Sequence, residues 1–412
     1  MRNLFQEFQL QTRGRGVRVF ASAALVGCAV AGCGLPSSEV AVQSGRNASG
    51  SWPEIDERLQ RAVRPAAPGV PCQGGYSAES CGLELRFGSR DQLWYDQSFG
   101  EWTRDAQVPI ASASKWLTAA AIMTLVDEGT LDLDAPISTY WSGLDADHGA
   151  ISMRQLLSHT SGMVHHAPCT HDQQIHTLQQ CAQEILLLPL AAKPGTTFLY
   201  GAPSFQVAGA IAEKVSGQSW RDLFKERIAD PLGMTKTLYG STRGQFADTT
   251  SNPQLAGGGI STASDYYAFL DMMMQRGMFQ GRRVLSERAY DAMERSNTGG
   301  VSRYECPLTE AACYPVWPTA GFALGNPATG SVPYGLGNWL FRVDSDCNGT
   351  LVSSPGAYGV HGWIDTIRGY RGLLFMNGDY TASAPIFEDL LSILDQRIPQ
   401  RTAPEAPLKD CA

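Results

Sequence analysis

The sequence predicts a mixed fold, an α/β part joined to an all-α part, in which a sheet is left for a block of helices and then resumed. Three observations predict it. Short apolar or alternating runs bounded by turn residues stand at 83–99 and return at 337–343 and 359–375. Between them, residues 112–129 and 152–290 carry helix punctuation, with Ser or Pro before apolar stretches and Gly after them. The composition, 43% hydrophobic and only 17% charged, is that of a globular chain rather than a disordered one. Strands, helices and strands in that order describe a sheet domain from which the chain departs and to which it returns.

The first 32 residues stand apart from that domain and predict an export signal. Arg13, Arg15 and Arg18 precede the apolar run Val19 to Ala31, which ends in Val30-Ala31-Gly32-Cys33. A basic segment, a short apolar segment and small residues before a cut mark a secretory signal. As a helix that run spans about 20 Å, short of the ~30 Å hydrocarbon core of a bilayer. Val-Ala-Gly-Cys resembles a bacterial lipobox, with Cys33 as the lipidated residue. Leu25-Val26-Gly27-Cys28 fits the same pattern, but apolar sequence follows Cys28 whereas Gly34-Leu35-Pro36-Ser37-Ser38 follows Cys33. Residues 33–51, rich in Ser, Gly and Asn, read as a flexible tether, and 52–400 as the folded domain. The expectation is a lipid anchor on the outer side of a membrane, periplasmic or extracellular, with no membrane-spanning helix and a short tail at 401–412.

Within the domain, Leu83 to Phe87 and Gln92 to Phe99 are strands joined by the turn residues Gly88-Ser89-Arg90-Asp91. Ser112 opens an alanine-rich, largely buried helix stopped by Gly129. Ser152 caps Met153 to Leu157; Pro203 opens a helix that ends at Gly217; Ser219 precedes another helix; Ser264 caps Asp265 to Arg276. The α/β part is thus about 52–130 and 330–400, and the helical part about 131–329.

Charge narrows the function. The chain carries a net charge of −8 with no basic block, and nucleic-acid binding needs clustered Lys and Arg. Beyond Cys28 and Cys33 there are eight cysteines. An even count in an exported chain predicts disulfides, for which the local pairs 72–81, 169–181 and 306–313 and the pair Cys347 and Cys411 are attractive. None has the CxxC spacing of a zinc or redox site.

The candidate nucleophile is Ser112, in Ser112-Ala113-Ser114-Lys115 at the start of its helix. One helical turn places Lys115 on the same face, so its ammonium approaches the hydroxyl. A serine hydroxyl needs such a positioned base, and a helix N-terminus favours the negative charge that develops. Tyr200, just before a helix and after Pro194-Gly195, is the second candidate: a phenol near an ammonium would have its pKa lowered and accept the serine proton. Third comes Ser353-Ser354-Pro355-Gly356-Ala357-Tyr358-Gly359, whose small residues let a sheet edge pass close to a substrate.

These segments, in this order, resemble the serine β-lactamase and penicillin-binding-protein superfamily, in particular its class C β-lactamase-related branch. The resemblance runs from about residue 100 to 395. It includes Leu156-Leu157-Ser158-His159-Thr160-Ser161-Gly162, Pro231-Leu232-Gly233-Met234, Gly258 to Asp265 and Tyr334-Gly335-Leu336-Gly337. It implies a β-lactamase/transpeptidase-like fold, an antiparallel sheet flanked by helices with an inserted helical domain. It also implies that Ser112 is acylated, that Lys115 and Tyr200 shuttle its proton, and that the N–H groups of Ser112 and Ala357 form the oxyanion hole, with Ser354 and Gly356 beside it.

Two departures from the family pattern redirect the expectation. Tyr-x-Asn is replaced by Tyr200-Gly201-Ala202, and Lys-Thr-Gly or His-Thr-Gly by Ser354-Pro355-Gly356. The amide that meets an acylamide substrate and the cation that pairs with its carboxylate are both missing. Hydrolysis of an uncharged carboxylic ester or small amide is therefore the expected activity, with no metal or organic cofactor. The alternatives are a β-lactamase or D-amino-acid peptidase acting on cell-wall-like substrates, and a non-catalytic cell-envelope binding protein.

Other residues are weaker candidates. His165, His166, His171 and His176 crowd around Cys169 but lack a metal-ligand pattern and read as a solvated loop. His361 follows the third motif as an auxiliary base or a packing residue. Trp116, Trp339 and Trp363 line the cleft or fill the core. Specificity is expected from loops 165–185 and 300–333.

Overall fold

The computed structural model describes residues 51–63, 81–171, 177–240, 250–303, 333–401 and 411. The signal segment 1–32 with Cys28, the tether from Cys33 up to residue 50, Cys72, His176, Cys306, Cys313, most of the loop 300–333 and most of the tail 401–412 lie outside those residues.

One six-stranded antiparallel sheet is assembled from both ends of the described chain. Strands β1 (Gly82–Ser89) and β2 (Leu93–Gly100) form the expected hairpin, with Leu85 opposite Gln97. Strands β3 (Trp339–Val343), β4 (Gly349–Ser353), β5 (His361–Asp365) and β6 (Tyr370–Met376) follow some 240 residues later. The order is β3-β4-β5-β6-β1-β2, closed across the chain by β1 against β6 with Leu85 opposite Leu374. The apolar run 359–375 is therefore two strands, because the turn Thr366 to Gly369 reverses the chain, with Gly369 at φ +71°. β4 escaped the sequence pattern, since a five-residue strand buried along its whole length has no alternation.

The two faces of the sheet are covered differently. Leu83, Leu85, Phe87, Trp363 and Leu374 pack with Ile55 and Leu59 of helix α1 (Pro53–Ala62) and with Leu390 and Leu394 of a long C-terminal helix, Tyr380–Arg397. That last helix opens Tyr-Thr-Ala-Ser and holds Pro385 inside it, which hid it from propensity. On the other face, Gly362 lies so close to Tyr266 that a Cβ would stand 2.5 Å from its ring. Tyr266 belongs to helix Ala263–Met274, whose cap is Thr262 rather than Ser264. Thr262 has the extended backbone a cap requires and accepts the Asp265 N–H at 3.2 Å, whereas Ser264 already lies in the first turn and receives Arg86 instead.

Between the strands lie the helices that build the second layer. Helix α2 (Ser114–Asp127) is buried at every residue from Ser114 to Leu125; a helix apolar all round must lie in a core. It packs against Pro203–Ser216, which opens on Pro203 and ends at left-handed Gly217 as expected. Ser152 forms a full capping box with Gln155, and Ser219 caps Trp220–Phe224. Within the loop 165–185, Thr177 and Gln180 form a second capping box that starts helix Leu178–Leu186. Cys169 is bridged to Cys181, and Cys347 to Cys411. Among the described residues no helix is long and apolar enough to cross a membrane.

Candidate active site

Ser112 sits in the 3-10 turn Ala111–Ala113 that feeds α2. Ala111 has φ +46°, a left-handed conformation unfavourable for a residue with a Cβ. Its surroundings hold it there. Ile110 N–H donates to Gly259 at 2.9 Å, while Ser114 Oγ donates to the Ala111 carbonyl at 2.5 Å and accepts from Gly259 N–H at 2.9 Å. Ser114 is thus a buried clamp, and Ser112 is the serine of the pair that remains partly exposed.

Lys115 follows one turn later and is 3% exposed. Its Nζ donates to Ser112 Oγ at 3.0 Å and to the Ala256 carbonyl at 2.8 Å. Among the described residues no carboxylate pairs with it. Burial without a counter-charge lowers its pKa to about 7. The Ala256 carbonyl is held in place by Gln206, which accepts from Leu255 N–H at 3.0 Å and donates to Pro253 at 2.8 Å. Sequence reading missed both Ala256 and Gln206, since a backbone carbonyl leaves no residue-type signal.

Tyr200 shares a side-chain hydrogen bond with Ser112. The expected lowering of its pKa is not met. Lys115 Nζ stands over the ring, 4.4 Å from its centroid, rather than beside the phenol oxygen, and burial pushes the phenol above its ordinary range. The amine, not the phenol, is the group brought near neutrality. The ring is enclosed by His159 at 4.5 Å, Trp339 at 5.4 Å and Tyr334 at 6.2 Å between centroids. Next to it, a Cβ on Gly201 would meet the His165 carbonyl at 2.3 Å, so only glycine fits between Tyr200 and Ala202.

The third motif connects β4 to β5 and lies against the nucleophile's turn. Ser354 Oγ reaches the carbonyls of Ser112 at 3.2 Å and Gly337 at 3.0 Å. A Cβ on Gly356 would stand 2.1 Å from the Ile110 carbonyl. Gly356 N–H bonds Val360 at 2.7 Å, and the Ala357 carbonyl accepts from Tyr380 N–H at 3.0 Å. The Ala357 N–H has no partner among the described residues.

The remaining candidates separate. Trp339 is at the site, stacked on Tyr200, whereas Trp116 and Trp363 are fully buried in the two halves of the core. His361 lies on the face of β5 that packs on the C-terminal helix: its Nε2 is 2.8 Å from Ser383 Oγ and its ring stacks on Phe387 at 4.7 Å. Enclosure there lowers its pKa to about 3, and the position fits packing rather than an auxiliary base. His166 stacks on His171 at 5.3 Å. Among the described residues no three His, Cys, Asp or Glu side chains gather as metal ligands.

Comparison with known proteins agrees with this geometry. A family model described as Beta-lactamase matches residues 81–393. Protein Rv1367c of Mycobacterium tuberculosis is 30% identical over 310 residues, which cover 62% of this chain and 73% of that protein. The esterase/beta-lactamase LipL of the same organism is 31% identical over 145 residues, 34% of this chain and 33% of that protein. Among solved structures, a candidate β-lactamase from Bacteroides dorei is 30% identical with a TM-score of 0.65, over 78% of this chain and 95% of that one.

Proposed function

The chain belongs to the Beta-lactamase family of serine hydrolases, and on that premise we propose that it is an esterase-like enzyme cleaving carboxylic esters or small amides through an acyl-enzyme on Ser112. The observation that carries this reading is the buried, uncompensated Lys115 amine 3.0 Å from Ser112 Oγ. At neutral pH a substantial share of that amine is unprotonated and able to take the serine proton.

Ser112 Oγ attacks the carbonyl carbon while its proton passes to Lys115. The oxyanion that forms is held by the N–H groups of Ser112 and Ala357. Collapse of the tetrahedral intermediate breaks the bond to the leaving alkoxide, which takes the proton back from Lys115 through Tyr200. Water then attacks the acyl carbon and gives its proton to Lys115 through Tyr200; collapse breaks the bond to Ser112 Oγ, which takes that proton back, and the acid is released.

An uncharged substrate is favoured by what surrounds the third motif. Residues 343–360 and 372–396 contain no Lys, Arg or His, so neither β4 with the motif nor the first turns of the C-terminal helix offers a cation to a substrate carboxylate. Tyr200 and Trp339, backed by the buried Tyr334, supply an apolar wall instead. The esterase/beta-lactamase relative supports the ester reading. Export fits the two bridged cysteine pairs, and lipidation at Cys33 would place the enzyme at the membrane surface.

The test is turnover of p-nitrophenyl butyrate and nitrocefin in parallel by a soluble protein starting near Gly34, against Ser112→Ala. Butyrate turnover abolished by the substitution, with nitrocefin barely touched, is expected. Comparable nitrocefin turnover would move the assignment to β-lactamase or peptidase. Failure of both substrates and of fluorophosphonate labelling at Ser112 would point to a binding protein.

A further inference from the structure

His159 stands out as a buried titratable group that the proposed reaction does not use. It is completely buried and has φ +60°, an uncommon conformation for a residue other than glycine. Its backbone carbonyl accepts the Leu199 N–H at 2.8 Å, and its Nδ1 accepts the Gly201 N–H at 3.4 Å. One residue thus grips the chain on both sides of Tyr200, and its ring lies 4.5 Å from the Tyr200 ring. The neighbouring backbone continues the grip, with Gly195 N–H on the Thr160 carbonyl at 2.7 Å. Phe205 at 5.1 Å, Tyr334 at 5.2 Å and Phe198 at 5.8 Å also surround the ring.

Two details separate this from packing. Accepting at Nδ1 puts the proton of the neutral ring on Nε2, and that atom is buried with no partner among the described residues. An aromatic hydrocarbon would fill the same space without leaving a donor unmet, so packing alone gives no reason for histidine. Burial opposes a positive charge on this ring, and the nearby Lys115 ammonium acts the same way, so the ring stays neutral and keeps Nδ1 free to accept.

We propose that His159 is the positioning residue of Tyr200: by holding Leu199 and Gly201 at once, it fixes the phenol against Ser112 and beneath Lys115. This rests on the acyl-transfer role given to Ser112, Lys115 and Tyr200 above.

The test compares His159→Phe and His159→Asn with wild type, measuring butyrate kcat and KM and the melting temperature. Asparagine keeps an acceptor close to the Nδ1 position and tolerates positive φ; phenylalanine keeps the ring and loses the acceptor. A displacement of about 1 Å at a reacting group costs on the order of 10²-fold. The expected result is a loss of about 10–100-fold in kcat for Phe with KM kept and the melting temperature lowered, since a bulky residue is strained at φ +60°, and recovery of most of kcat by Asn. Wild-type kcat in the Phe protein, or an equal loss in both variants, would overturn the assignment. Should the Phe protein not fold, His159→Leu replaces it with the same outcomes. Ser112→Ala is run alongside: turnover surviving that substitution would defeat the site itself, whereas a dead Ser112→Ala beside a fully active His159→Phe would defeat only this inference.

Discussion

The indole of Trp116 donates to the carboxyl of Glu294 at 3.1 Å, one residue beyond the lysine of the site. Asn338 donates to the other oxygen of the same carboxyl at 2.7 Å. Glu294 therefore ties α2 to the segment Tyr334 to Asn338, whose Gly337 lies so near the Lys115 carbonyl that a Cβ would stand 2.5 Å from it. The position of Lys115 is set from behind by a buried acid.

Burial raises Glu294 to about 8, so the folded protein holds this proton more tightly than the unfolded chain does. Its contribution to stability is complete below the ordinary carboxyl pKa of 4.5 and is lost as pH rises through about 8. Glu294→Gln, with the Asn338 amide turned to accept, should fold normally and gain stability relative to wild type as pH rises from 5 to 8. Melting curves across that range check it; a constant difference would count against a buried neutral acid. Glu294→Ala leaves two buried donors unmet and should cost about 2–4 kcal/mol.

Lys115 gives the opposite pH sign. Its folded pKa of about 7 lies below the ordinary 10.5, so the unfolded chain binds this proton more tightly. The group opposes folding below pH 7, and the opposition fades as pH rises toward 10.5. Lys115→Met should lose about 10²–10⁴-fold in kcat. It should also melt higher than wild type at pH 6, with a smaller gain at pH 9. In wild type, kcat should climb with pH through about 7 as the amine loses its proton.

At the second motif the prediction is steric. Gly201→Ala drives a Cβ into the His165 carbonyl and should cost about 1–3 kcal/mol together with most of the activity. Ala202→Asn restores the amide that family members place there. It should raise nitrocefin turnover relative to butyrate turnover, read from the ratio of the two kcat/KM values; an unchanged ratio would separate that amide from substrate choice.

Cys169 and Cys181 close a loop whose Cys169 carbonyl accepts from Asn252 at 2.9 Å, and Asn252 in turn accepts from Gln206. Replacing both cysteines with serine should lower stability by about 2–4 kcal/mol. Activity should fall as well, because Gln206 also holds the segment that offers the Ala256 carbonyl to Lys115. Denaturant titration and butyrate kinetics of the double variant check both.

Features dictated by short-range geometry were legible in the residues alone. Ser112 and Lys115 are one helical turn apart whatever surrounds them, and caps such as Ser152 with Gln155, or Pro203 with Gly217, act over three to fourteen residues. The two family departures, at Ser354-Pro355-Gly356 and at Ala202, were likewise legible as residue identities. Long-range packing set the rest: Lys115 rather than Tyr200 is the group near neutrality, Trp339 rather than Trp116 or Trp363 meets the site, and His361 faces the C-terminal helix. It also moved one cap from Ser264 to Thr262 and brought His159 against both chain neighbours of Tyr200. Those outcomes depend on desolvation and on which face of a strand is covered, and both are summed over segments as distant as Lys115, Ala256 and Trp339. No local period or spacing carries such a sum, because the low dielectric that shifts a proton exists only once those segments have closed around it.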